Sequence, residues 1–408
     1  MTHDAHFILR EPLLNPKQQV IGYELSWQQK NADALSDDEL NSLLEFVAAQ
    51  FNNEDTGWQL ADSLIFLETA PALFKAPALK LLPPEHIVLT IRRSYLADES
   101  TLEAVKELRA QGYGICLRGA DINRLDKTIL GLISHIEVRL SASDFASQAK
   151  MYAVFKQSSI RMVARQVTTW QDFDACAALG LDAFVGKLHL TPRPEQANQP
   201  KGINAAQTVI LQLMELVRKN ADLSALEAVL RRDAGLSYKL LQYINSAGFG
   251  LRTPIQSLKH AVQLLGYSPL YRWLSVLLAT ASSSGYSPVL METAIVRGRF
   301  AELLGIDSLP KGEAENLFVA GMFSLLDRLL NVPMERVLAT VQLPEQVTQA
   351  LLGREGLYGP YLSLAEACEL NSALAGSLAE SLHISTADVN QAHLSALVWA
   401  KNVAASTK

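Results

Sequence analysis

Residues 233–266 read DAGLSYKLLQYINSAGFGLRTPIQSLKHAVQLLG, and this stretch decides the class of the second half of the chain. Leu236, Leu240, Leu241 and Ile244 recur on one helix face, and Asn245-Ser246-Ala247-Gly248 then supplies residues that favour helix ends and turns. After the glycine-rich turn and Pro254, Ser257 stands where an N-cap is wanted. The helix it would start carries Leu258, Ala261, Val262 and Leu265 on its apolar side and closes at Gly266. The pattern predicts two helices meeting at a tight corner of small residues.

Outward from this corner, helical patterns dominate from Ala205 to the C-terminus. Ile210, Leu211, Leu213, Met214 and Val217 mark one amphipathic helix, residues 223–230 a second, and residues 270–280 are apolar enough for a buried central helix. Upstream, residues 187–204 hold Pro192, Pro194 and Pro200 among Asn, Gln and Gly, which reads as a connection between domains. Ahead of it the pattern changes. Residues 7–9 and 20–27 flank the turn-forming Asn15-Pro16-Lys17, and β-rich runs at 64–67, 87–91, 114–117, 136–140, 161–164 and 183–185 alternate with helical ones at 100–111 and 170–179. Alternating β and α units imply parallel strands with right-handed crossovers, either in a (β/α) barrel or in an open doubly wound sheet. The expected organisation is a domain over 1–190, a linker over 191–204 and a helical domain over 205–408.

A chain of 408 residues, 49% hydrophobic, has material for two cores. Its net charge of −6 argues against a broad basic surface for nucleic acid. Cys116, Cys176 and Cys368 are far apart and form no C-x-x-C pair, so neither a zinc knuckle nor a disulfide framework is expected. The N-terminal MTHDAHFILREPLLNPK carries charges before any long apolar run, and no apolar segment reaches the roughly 20 residues that span a bilayer. The reading is a cytoplasmic protein with no membrane segment.

The wording of the opening stretch is more specific than its pattern. Asp233, the leucine-rich helix, Asn245-Ser246-Ala247, Ile255-x-Ser257-Leu258 and Leu264-Leu265-Gly266 resemble the signature of HDOD domains, bacterial signalling modules related in fold to the HD phosphohydrolases. In those hydrolases a His-Asp dyad binds metal. The corresponding run here resembles residues 319–327, VAGMFSLLD, which puts Ser324 and Leu325 at the dyad positions, where neither is a good ligand. Asp327 is expected to cap or pair locally, and His260, His383 and His393 to be surface or capping residues.

The first half resembles the framework of EAL domains, barrel phosphodiesterases that hydrolyse cyclic di-GMP with divalent metals. The likeness is carried by Tyr23-Glu24-Leu25, Gly112-Tyr113-Gly114-Ile115-Cys116-Leu117 and residues 178–186, ALGLDAFVG. Hard divalent cations need oxygen ligands at the C-terminal strand ends. Of the positions where the family places them, this chain keeps Glu24, has Glu68 for an asparagine, and has Thr90 and Arg93 on the next strand. Arg118 and Gly119 stand for the aspartate pair, Glu137 and Arg139 for the lysine and aspartate, and Arg165 and Thr168 for two glutamates. Arginine offers only donors and keeps its charge, so four arginines oppose a dication.

The sequence leaves two readings of this inverted pocket open. In one, Arg93, Arg118, Arg139 and Arg165 pair with Glu24, Glu68 and Glu137 as a salt-bridge network; in the other they clamp a phosphate or nucleotide. The expected function follows the order of the two domains. It is a catalytically inactive signalling or scaffold protein, a degenerate EAL-like barrel ahead of an HDOD domain, without metal or cofactor, acting through protein contacts in cyclic di-GMP-linked signalling. A cyclic di-GMP or other nucleotide receptor is the alternative, and an active phosphodiesterase ranks last because Glu24 alone cannot assemble a two-metal centre. Resemblance to EAL domains also allows a homodimer.

Overall fold

In the computed structural model the described residues are 6–28, 35–52, 63–119, 127–139, 153, 155–165, 167–191, 193, 205–230, 262, 266–280, 288–330, 332–340 and 343–405. The chain divides into two compact units, Met1–Thr191 and Pro192–Lys408. Asp233, Asn245, Ser246, Ala247 and His260 lie outside the described residues. Gly266 is described, with a left-handed φ of +81° and its N–H on Val262 O at 2.9 Å.

The first unit is a closed barrel of eight strands in sequence order. The strands are β1 (Ile8–Leu14), β2 (Val20–Trp27), β3 (Leu64–Glu68), β4 (Ile87–Arg92), β5 (Gly114–Arg118), β6 (His135–Arg139), β7 (Arg161–Arg165) and β8 (Ala183–Val185). The closure settles the choice the sequence left open between a barrel and an open sheet. β1 runs antiparallel to both β2 and β8, because the tight Asn15 turn returns the chain directly, and β2 to β8 are parallel. Helices α1 (Asp37–Phe51), α2 (Glu99–Ala110), α3 (Lys127–Leu132) and α4 (Trp170–Leu179) lie between strands. Their starts are set by side-chain caps: Ser36 with Glu39 in a capping box, Asp98 on the Thr101 N–H, and Thr169 on the Asp172 N–H.

Strand pleating fixes what faces the barrel interior. Phe66, Val88, Cys116 and Val163 fill its core together with Leu13, Ala183 and Val185. Side chains two residues on point the same way. Glu68 therefore rises above Phe66, Thr90 and then Arg92 above Val88, Arg118 above Cys116, and Arg165 above Val163. On β6 the same parity carries His135 and Glu137.

His135, at the start of β6, is buried with its ring edge-on to Phe66. Burial, aided by the Arg161 and Arg109 charges, pushes its pKa down to about 4. The folded state thus takes up this proton less readily than the unfolded chain, so stability falls as the pH drops from about 6.5 towards 4. The loss attached to this residue is roughly 3 kcal/mol. Urea titrations across that range should show a shallower decline for His135→Phe than for the parent protein.

The second unit is helical: α5 (Ala205–Arg218), α6 (Leu223–Leu230), α7 (Tyr267–Thr280), α8 (Pro288–Gly305), α9 (Lys311–Phe323), α10 (Leu326–Leu330), α11 (Met334–Thr340), α12 (Glu345–Gly353), α13 (Gly359–Leu370), α14 (Ala375–Ser381) and α15 (Thr386–Ala405). Residues 270–280 fall within α7, where Trp273, Leu274 and Leu278 are fully buried. Helix α8 is the centre, packing on α9, α13 and α15. It meets α9 at Gly298 and Gly321. A Cβ on Gly321 would come within 2.7 Å of Arg297 O and 2.8 Å of the Gly298 Cα. Both obstacles are backbone, so Gly321→Ala should destabilise by about 1–3 kcal/mol through overpacking; an unchanged unfolding midpoint in urea would contradict this close contact.

Candidate functional site

The C-terminal ends of the barrel strands gather charge. Glu68, Arg118 and Arg165 are the last residues of β3, β5 and β7, and Glu24 and Glu137 lie within β2 and β6. Arg118 is the hub. Its Nη1 is 2.5 Å from Glu68 Oε2, its Nε 2.7 Å from Glu137 Oε2 and its Nη2 3.2 Å from Glu24 Oε1. Arg165 adds pairs to Glu24 and, through Nε at 3.1 Å, to Glu137. Burial works against the charge on Arg118, but Glu68 and Glu137 outweigh it, so its pKa lies above the ordinary arginine value. Charge-assisted bonds to three carboxylates satisfy most of its fork.

Strand parity also explains where the arginine on β4 departs from expectation. Arg93 follows the strand, outside the inward register, and makes no hydrogen bond or ion pair among the described residues; it is half-buried. Arg92, one residue earlier and in register with Thr90, pairs with Glu68 at 3.3 Å. Sequence reading missed Arg92, although counting in twos from Val88 points to it. Thr90 is buried beneath this layer. The backbone of Arg139 ends β6 beside Arg165.

The EAL resemblance implies divalent metals, and the residues present do not fit one. Every carboxylate of the set is turned onto a guanidinium, with Arg118 at the point where the three converge. Among the described residues no group of three or more His, Cys, Asp and Glu side chains is arranged to hold a metal ion.

The helical unit has a similar centre. Ser324 ends α9 and Leu325 follows it, both buried. Arg297, delivered by the close approach of α8 to α9, donates through Nη1 to Ser324 Oγ at 2.8 Å and to Glu366 at 3.0 Å, and through Nε to Glu369 at 2.8 Å. Arg354 grips Glu366 from the other side with Nε at 2.8 Å and Nη2 at 2.9 Å. Sequence reading singled out none of Arg297, Arg354, Glu366 and Glu369. A signal existed, since Arg297 interrupts the apolar run Thr293-Ala294-Ile295-Val296.

Asp327 lies in the first turn of α10, where backbone hydrogen bonds at Arg328 and at its own N–H act locally on its carboxyl; burial raises its pKa against them, and its Oδ1 has no partner among the described residues. One expectation is corrected here. His393 is a core residue, stacked on Phe300 at 4.5 Å, because α15 packs that face onto α8. His383 is exposed just after α14, with a left-handed φ of 57°.

Residues 203–332 match the family model of the HDOD domain. The chain carries an HDOD domain. Its helical unit holds that domain, and the eight-stranded barrel precedes it. Over 368 residues the chain is 27% identical to the cyclic di-GMP phosphodiesterase CdgJ of Vibrio cholerae, covering 89% of this chain and 84% of that protein. It is 25% identical over 413 residues to the Bacillus subtilis protein YuxH, covering 97% and 98%. Among solved structures it is similar to the MucR phosphodiesterase in complex with c-di-GMP, with 19% identity, a TM-score of 0.36 and coverage of 47% of this chain and 92% of that one. The CdgJ match overturns the expectation that the chain is not an enzyme, since the relative aligned over most of its length is named a phosphodiesterase. Loss of individual ligand positions is not by itself loss of activity. No described helix is long and apolar enough to cross a membrane.

Removing the hub tests the ion network directly. Arg118→Ala leaves Glu137, 3% exposed at its side chain, with fewer counter-charges. We expect a loss of about 3–5 kcal/mol, the scale for breaking a buried pair from one side, read from urea unfolding. A loss below about 1 kcal/mol, the scale of surface pairs, would show the network to be a solvated surface feature.

Proposed function

We propose that this protein acts in cyclic di-GMP signalling as a phosphodiesterase-type protein that binds the cyclic dinucleotide at the C-terminal mouth of its barrel. The convergence of Glu24, Glu68, Glu137, Arg118 and Arg165 at that mouth carries the reading, since parallel barrels place their chemistry at this end. The similarity to CdgJ supports the substrate class.

The chain's own residues supply binding and electrostatics. Arg93 is half-buried and makes no hydrogen bond or ion pair among the described residues, which suits it to a phosphodiester oxygen. Arg118 and Arg165 place fixed positive charge beside the same opening, where it would stabilise negative charge developing on a phosphoryl oxygen. Glu24 and Glu68 are the acceptors nearest the opening, at 10% and 17% side-chain exposure, against 3% for Glu137. A receptor that binds cyclic di-GMP without turnover is the outcome left if the same contacts yield no product. In either case the HDOD domain is the part we assign to protein contacts that pass the signal on.

Calorimetric titration of cyclic di-GMP into the full-length protein, with and without magnesium or manganese, paired with chromatography of the linear dinucleotide product, tests this. Binding with product formation is expected, and Arg93→Ala should weaken binding by about tenfold, the worth of one charge-assisted contact. Binding without product would leave the receptor. Neither binding nor product would remove the barrel from cyclic di-GMP chemistry altogether.

A further inference from the structure

The opposite end of the barrel, where the parallel strands begin, holds a cavity of ≈ 330 Å³. Its walls combine an apolar surface with polar groups whose internal hydrogen bonds leave some of their atoms open. Phe66 belongs to the barrel core, and Ile21 and Leu64 pack against that core while only partly buried, so they present apolar surface to the cavity.

His135 is the first of the polar groups. It is 7% exposed, its Nδ1 lies 2.9 Å from Ser134 Oγ, and its Nε2 has no partner among the described residues although the ring lines the cavity. That nitrogen is open to a polar group of a ligand in the cavity. Arg161 is the second. It opens β7 on the cavity rim, exposed, and its guanidinium makes no ion pair among the described residues. The third is Asp182, whose Oδ2 accepts the Met162 N–H at 2.8 Å while Oδ1 remains available. Arg161 and Asp182 carry opposite charges on one rim and do not pair with each other.

We propose that this cavity binds a small amphiphilic zwitterion of the α-amino-acid class. Its carboxylate meets Arg161, its ammonium meets Asp182 Oδ1, and its apolar side chain lies on Phe66, Leu64 and Ile21. His135 Nε2 takes the remaining polar contact. An apolar pocket with a few convergent polar groups is the usual build of a small-molecule site, and the volume falls at the lower end of that range. The site is separated from the arginine-rich mouth by the packed layer of Phe66, Val88, Cys116 and Val163. It therefore adds a ligand to the barrel that the mouth does not require.

Saturation-transfer NMR and calorimetry on the full-length protein with L-leucine and L-phenylalanine test the proposal, with N-acetyl-L-leucine and isoamylamine as probes lacking one charge each. Binding of the amino acids, absent or much weaker for both single-charge probes, is expected. Arg161→Ala and Asp182→Asn should each weaken it by about tenfold. Both residues are exposed, and an unchanged thermal midpoint shows that the variants fold. No binding of either amino acid, equal binding of N-acetyl-L-leucine, or binding indifferent to both substitutions would overturn the proposal.

Discussion

Arg118 meets Glu24, Glu68 and Glu137, carboxylates contributed by three different strands, and that requirement constrains the whole barrel mouth. Three carboxylates this close repel one another, and burial removes the water that would screen them. A guanidinium resolves the conflict because it is permanently charged and offers donors in several directions from one plane. The arrangement works only if the barrel closes with β2, β3, β5 and β6 in register, since a slip of one residue on any strand would turn its charge outward. Closure and ion network therefore depend on each other.

The helical unit solves a like problem by other means. Arg297 reaches Ser324, Glu366 and Glu369 only because Gly298 and Gly321 let α8 and α9 approach to backbone contact. Arg354 then holds Glu366 from outside. A longer side chain at either glycine would move the guanidinium off the hydroxyl it bonds. In both units the resemblance points to metal-dependent hydrolases, and in both an arginine stands among the carboxylates. In the barrel the result is positive charge fixed by three carboxylates at the strand ends.

Much of the fold was legible. The Asn15 turn, the helix 170–179 and the apolar helix after residue 270 follow from turn chemistry, caps and periodicity, which are local. The helical character of the second half followed from the same signals. The mouth was legible only as a list of positions. Arg93 and Arg92 are neighbours in sequence, yet pleating gives the network to Arg92. The buried place of His393 depends on which face α15 packs against α8, which its own sequence does not state.

The sequence by itself determined the two-part character of the chain, the alternation of strands and helices in the first part, and the likeness to signalling modules, because these rest on spacing and short motifs. Tertiary structure decided closure of the barrel, which arginine meets which glutamate, and the cavity at the strand starts. The physical reason is distance along the chain. Arg118 and Glu24 are 94 residues apart and Arg297 and Glu369 are 72 apart, so no local pattern encodes their contact, and only packing brings the charges together.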